Sequence, residues 1–169
     1  MKPLLIIDGY NVIGAWKQAE VLRLTIDEAR DKLIHMLQDY SGYSGEEVVL
    51  VFDGYRSECR TSTEERLENV TIVYTKHGET ADSYIERLAV QTPKYRTMRV
   101  ATSDGQIQTL ALGAGATRIT SRELLIEMQQ LRKTSFAAHK KAQQMNRNSL
   151  GARLPLDVQE ALERLRRGE

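Results

Sequence analysis

A single cysteine, Cys59, stands in 169 residues. One thiol closes no internal disulfide, which excludes a disulfide-stapled scaffold and fits a reducing, cytoplasmic setting. Long hydrophobic runs are missing too: nothing approaches the roughly 20 apolar residues of a membrane-spanning helix. The N-terminal run Leu4-Leu5-Ile6-Ile7 meets Asp8 at once, too soon for the apolar centre of a signal peptide. Aromatics make up only 6%, and seven of them are tyrosines. His35, His77 and His139 lie far apart with no second cysteine to join them, so a zinc-ligand set is lacking. Neither G-x-x-x-x-G-K-[ST] nor G-x-G-x-x-G occurs, which leaves a nucleotide cofactor unsupported. Internal repeats and low-complexity tracts are absent as well.

What remains is an ordinary globular composition, 41% hydrophobic and 28% charged, in a length typical of one compact domain. A chain of this size buries about 70% of its unfolded surface, enough for a real core. The formal net charge of +1 hides an asymmetry. Residues 1–132 hold 16 Lys+Arg against 19 Asp+Glu, whereas residues 133–169 hold 8 against 4. An acidic body with a basic tail points modestly to a polyanionic partner, and a solvated C-terminal helix explains the same charges.

Short apolar runs recur at Leu4–Asp8, Val48–Asp53, Val70–Thr75, Arg99–Thr102 and Ala116–Thr120. Several are continuous rather than alternating, as in strands of a parallel sheet covered on both faces. Helical patterns lie between them. Thr25-Ile26-Asp27-Glu28 reads as a capping box, followed by Ile26, Ala29, Leu33, Leu37 and Tyr40 at helical period. Thr80 caps a second helix, a third runs from about Gln106 to Leu112, and Ser121 caps a fourth. The polar stretch 54–69 reads as a long surface loop. The apolar pattern weakens from Thr134 to Arg153, and Leu154-Pro155-Leu156-Asp157 reads as the start of a last helix. The alternation predicts an α/β fold, a parallel sheet with helices on both faces.

The informative feature is where the aspartates fall. Asp8 ends the first strand, Asp53 ends the second, Asp104 follows the fourth, and Asp82 lies in the first turn of the helix after the third. In open parallel sheets these positions share one edge, outside the carboxyl ends of the strands. Each has a bland reading as a turn or helix cap, Asp-Gly above all. Four at one edge make a metal site the better one. Clustered carboxylates repel, and a hard dication such as Mg²⁺ or Mn²⁺ resolves the conflict. Such sites serve phosphoryl transfer. Glu79 and Glu86 stand in reserve, with surface solvation as their simpler explanation.

Four segments together, Leu5-Ile6-Ile7-Asp8-Gly9-Tyr10-Asn11-Val12-Ile13, Val49-Leu50-Val51-Phe52-Asp53-Gly54, Gly78-Glu79-Thr80-Ala81-Asp82 and Val100-Ala101-Thr102-Ser103-Asp104, resemble the YacP-like branch of the NYN domains, which are PIN-like nucleases. The resemblance covers about residues 1–145 and continues more loosely through a basic helical extension, 146–169. It implies a PIN-like fold with a central, mostly parallel sheet. It also implies metal-dependent endoribonuclease activity on mRNA, similar to that of bacterial ribosome-associated endoribonucleases. Asp8, Asp82 and Asp104 match the metal-binding acids, Asp53 matches an acid whose role is less defined, and Asn11 and Ser103 match polar positions of the same pocket.

The implied chemistry is hydrolysis by metal-activated water, leaving 5′-phosphate and 3′-hydroxyl ends. Attack by the RNA's own 2′-hydroxyl, without a metal, generally needs groups such as paired histidines, which the acids lack as neighbours. For holding RNA, Arg56, Arg60, Lys76 and His77 are candidate phosphate contacts, and Tyr10 and Tyr55 candidate stacking rings. Lys140, Lys141, Arg147 and Arg153 are candidates for ribosomal RNA. Two other readings stand beside this one. A binding module would keep the pocket without cleavage. A small-molecule phosphohydrolase would use Asp8 as nucleophile, but such enzymes usually carry a second aspartate two residues on, where this chain has Tyr10.

Overall fold

The computed structural model describes residues 1–54 and 61–152, and Val158 and Arg164 singly. Its elements are β1 (Leu4–Asp8), α1 (Gly9–Ala15), α2 (Lys17–Val21), α3 (Ile26–Ser44), β2 (Glu47–Phe52), β3 (Thr63–Leu67), β4 (Val70–Tyr74), α4 (Ala81–Gln91), β5 (Met98–Ala101), α5 (Gly105–Gly113), β6 (Thr117–Ile119) and α6 (Ser121–Ala152). Six strands form one sheet in the order β3-β4-β2-β1-β5-β6. Every pairing is parallel except β3 with β4.

Continuous apolar runs split between two cores because alternate residues of a strand face opposite ways. Leu5 and Ile7 of β1, with Leu50 and Phe52, pack under Leu33 and Leu37 of α3 and Leu124 and Met128 of α6. Leu4 and Ile6, with Val51 and Val100, pack against Ile85 of α4 and Ile107 of α5. The anticipated mostly parallel α/β sheet with helices on both faces is the observed one.

Local signals behave as their chemistry dictates. Thr25 and Glu28 form the full capping box of α3, and Thr80 caps α4 through the Ser83 N–H. At α6 the cap is Thr120 rather than Ser121. Thr120 Oγ1 accepts the Glu123 N–H while Glu123 accepts the Thr120 N–H at 2.8 Å. Ser121 is buried and turned elsewhere.

Four elements depart from expectation. α1 and α2 follow β1 without a loop, in a segment too short and glycine-rich to display a helical stripe. Within the stretch read as loop, Thr63–Leu67 is an antiparallel edge strand whose residues are almost all exposed. A strand wet on both faces shows no alternation, and charge on an edge discourages further pairing. α6 stays helical through Thr134–Ala152, where its apolar stripe fades. Contacts divide the chain into Met1–Arg132 and Lys133–Glu169. In the second unit, Lys140 and Lys141 are exposed on the helix. Arg153 and the Leu154–Asp157 helix start lie outside the described residues, and Arg147 lies in α6, where only its backbone is described.

Candidate active site

The chain leaves β1 in both directions: β2 pairs on one side and β5 on the other. Such a switch point opens a crevice at the carboxyl ends of the strands. Asp8 ends β1 at that point, and Asp104 follows β5. Asp53 follows β2 beside β1, and Asp82 opens α4. The topology therefore draws the four aspartates to one rim.

Each is held by its local structure. Asp8 is the N-cap of α1, its Oδ1 accepting the Asn11 N–H at 3.2 Å. Gly9 keeps α1 close to the sheet, since a Cβ there would overlap the Phe52 ring. Asp53 sits before Gly54, whose N–H donates to Thr75 Oγ1 at 2.9 Å. A Cβ on Gly54 would run into the Thr75 carbonyl. These glycines permit close approach and do not have positive φ, which occurs among the described glycines only at Gly45, Gly78 and Gly115. Asp104 caps α5, its Oδ1 accepting the Gln106 N–H at 2.8 Å. Asp82 is half-buried in the first turn of α4.

The electrostatics tie these acids together. Burial raises the Asp8 carboxyl from 3.8 to about 6, opposed by the Asn11 hydrogen bond and reinforced by Asp82, Asp53 and Asp104. Asp82 is also raised, by burial first, then by Asp104, Glu86 and Asp53. Repulsion of this kind makes a cation welcome. Among the described residues, no three acid, histidine or cysteine side chains converge tightly enough to hold an ion by themselves. The donor set is carboxylate oxygen only, which suits a hard dication that keeps part of its water shell, as Mg²⁺ does.

Asn11 joins three segments. Its Oδ1 accepts the Ser103 N–H at 2.9 Å and the Ser121 hydroxyl at 2.5 Å. The sequence pattern presents Ser121 only as a cap. Its bond to Asn11 spans 110 residues, a separation no spacing rule reveals. Of the reserve acids, Glu86 adds to the field at Asp82. Glu79 is no solvated surface acid: its side chain is 7% exposed and engaged by Arg87 and Ser62.

The family model for the YacP-like NYN domain matches residues 5–167. The chain belongs to that family. It is 41% identical over 130 residues, 75% of either chain, to the "Uncharacterized protein YacP" of Bacillus subtilis. It superimposes on the crystal structure of a mutant Rae1 (YacP) from Bacillus subtilis with a TM-score of 0.71 and 35% identity, over 84% of both chains. For another Rae1 (YacP) structure from that organism the TM-score is 0.68 and the identity 34%, over 99% of this chain and 96% of the other. The chain is thus a nuclease-type NYN domain.

Tyr10, 38% exposed, meets Phe52 edge-on with ring centroids 5.0 Å apart. Lys76 and His77 are exposed in the turn between β4 and α4. Ser103 is exposed beside Asp104. Tyr55, Arg56 and Arg60 lie outside the described residues. Lys140 and Lys141 belong to the second unit. Among the described residues no helix is long and apolar enough to cross a membrane.

Proposed function

We propose that this YacP-like domain is a metal-dependent endoribonuclease that cuts mRNA, in association with the ribosome. The observation that carries the reading is the Asp8 carboxyl, buried at the sheet's switch point and raised to about 6 by desolvation and three further aspartates. That electrostatic conflict is what a divalent cation relieves.

Asp8, Asp82 and Asp104 are the residues assigned to hold Mg²⁺ or Mn²⁺. When bound, the ion supplies an activated water and neutralises charge on the phosphate and the departing oxygen. The chain's own part is positional. Asp8 and Asp104 each give one carboxylate oxygen to a backbone N–H, which fixes the aim of the other. Asp53 completes the set or orients the attacking water. Asn11 clamps the β5–α5 turn and the start of α6, keeping Asp104 in register with Asp8. Lys76 and His77 at the rim are assigned to RNA phosphates, and Tyr10, with Ser103 nearby, to an unpaired nucleotide. The basic balance of residues 133–169, with Lys140 and Lys141, supports a polyanionic docking partner such as ribosomal RNA. Cytoplasmic residence belongs to the same proposal.

End analysis of the products tests the chemistry. Cleavage abolished by EDTA, restored by Mn²⁺ or Mg²⁺ and leaving 5′-phosphate and 3′-hydroxyl ends is expected. Ends bearing 2′,3′-cyclic phosphate, or cleavage indifferent to EDTA, would contradict it.

A further inference from the structure

Beside the acid crevice, where α1 and α2 meet the first turns of α6, lies a depression of about 380 Å³, within the size range of ligand sites. Its walls include Trp16, Lys17, Gln18, Arg122, Leu125 and Gln129, with no carboxylate. Among the described residues neither Lys17 nor Arg122 enters an ion pair. The acidic body thus has a locally cationic hollow with an apolar floor.

Trp16 is 4% exposed, and its indole Nε1–H is buried with no acceptor among the described residues. A buried donor without a partner is rare and costly in native folds. Trp16 also borders a neighbouring cavity of about 160 Å³, so space adjoins the ring. Along the chain, residues of the hollow follow closely on those of the crevice. Seven residues of α1 separate Asp8 from Trp16, about 10 Å at helical rise. Arg122 follows Ser121, whose hydroxyl is bonded to Asn11.

We propose that this hollow is a nucleotide subsite for the RNA strand entering the acid crevice, resting on the ribonuclease reading above. Arg122 and Lys17 take a backbone phosphate, and Leu125 and the edge of the Trp16 ring lie under the base. Polyanionic RNA fits two cations that enter no ion pair among the described residues, set over an apolar floor.

Trp16 is the only tryptophan of the chain, so emission comes from one side chain in the wall of the hollow. The full chain, in EDTA to prevent cleavage, is titrated with a short single-stranded RNA. Binding is read twice, by anisotropy of a labelled strand and by Trp16 emission with the unlabelled strand. Both readouts are expected to follow one curve. Arg122→Glu should weaken binding about tenfold or more, as befits loss of a charge-assisted phosphate contact. Trp16→Phe, which trims the ring under the base, should weaken binding about threefold. If anisotropy rises while Trp16 emission stays flat and Arg122→Glu binds like wild type, RNA lies elsewhere. The subsite is then overturned and the ribonuclease reading stands. If neither readout responds to RNA, the subsite is equally overturned, and the cleavage assay decides the ribonuclease reading by itself.

Discussion

Asp8 carries two duties that oppose each other. As N-cap it orders α1; as a buried carboxylate among acids it costs stability when ionised. Its folded value of about 6 lies above the ordinary 3.8, so the folded state holds the proton more tightly. The stabilising share of this group is full below about pH 4 and is lost as pH rises through 6. Asn caps as well as Asp and bears no charge. Asp8→Asn should therefore raise metal-free stability at pH 7.5 by up to about 2–3 kcal/mol, measured by urea unfolding in EDTA, while activity disappears. The gain should vanish near pH 4. Asp104 separates cap from charge in another way: Asp104→Ala should cost about 1 kcal/mol through loss of the α5 cap, and Asp104→Asn much less. Gly54→Ala drives a methyl into the Thr75 carbonyl and should cost about 2–3 kcal/mol, read as a lowered urea midpoint. At this scale the aspartates were legible, because a carboxylate at a strand end is visible in one dimension. Ser121 and Trp16 were not, because an Asn11 contact across the chain and a missing acceptor exist only in three.

Among the elements, α6 is the one most visibly fastened. Glu127 of α6 binds Arg99 of β5, with Nη2 to Oε2 at 2.6 Å, and accepts from the Tyr40 hydroxyl of α3 at 2.7 Å. Glu46, before β2, joins the same guanidinium at 3.2 Å. Arg99 chiefly holds Glu127 below its usual range, and the Tyr40 hydrogen bond assists against burial. Glu127 thus contributes stability that is present above about pH 4.5 and lost as pH falls below it. Arg99→Met leaves two carboxylates facing each other and should cost about 2–3 kcal/mol at pH 7, seen as a lower Tm that partly recovers toward pH 4. Sequence periodicity revealed β1, β2, β4, β5 and β6 and the helices α3 to α6, since each buries a patterned face. It missed β3, whose exposed residues carry no pattern, and α1 and α2, whose brevity leaves none to read. The first is fixed by pairing with β4 and the others by Asp8 and the core beneath Val12 and Ala19.

For the whole molecule, the arrangement that matters is a switch point in a parallel sheet loaded with acids. Four aspartates up to 96 residues apart in sequence feel one another there. The chain itself carries a near-neutral balance, with its acidic excess before residue 133 and its basic excess after it. An acid-rich crevice attracts RNA weakly unless cations or a partner offset it. Under the proposed function, the ribosome would be the partner that delivers the substrate, and naked transcripts would be cleaved slowly. The decisive measurement compares one labelled mRNA, naked and on translating ribosomes, with Mg²⁺ or Mn²⁺ present. The enzymes are wild type, Asp8→Asn and Asp82→Asn. The account predicts metal-dependent cleavage by wild type alone, faster on the ribosome. Cleavage that survives both substitutions, or intact RNA in every lane while the protein still binds ribosomes, would contradict it and make the domain a binding module.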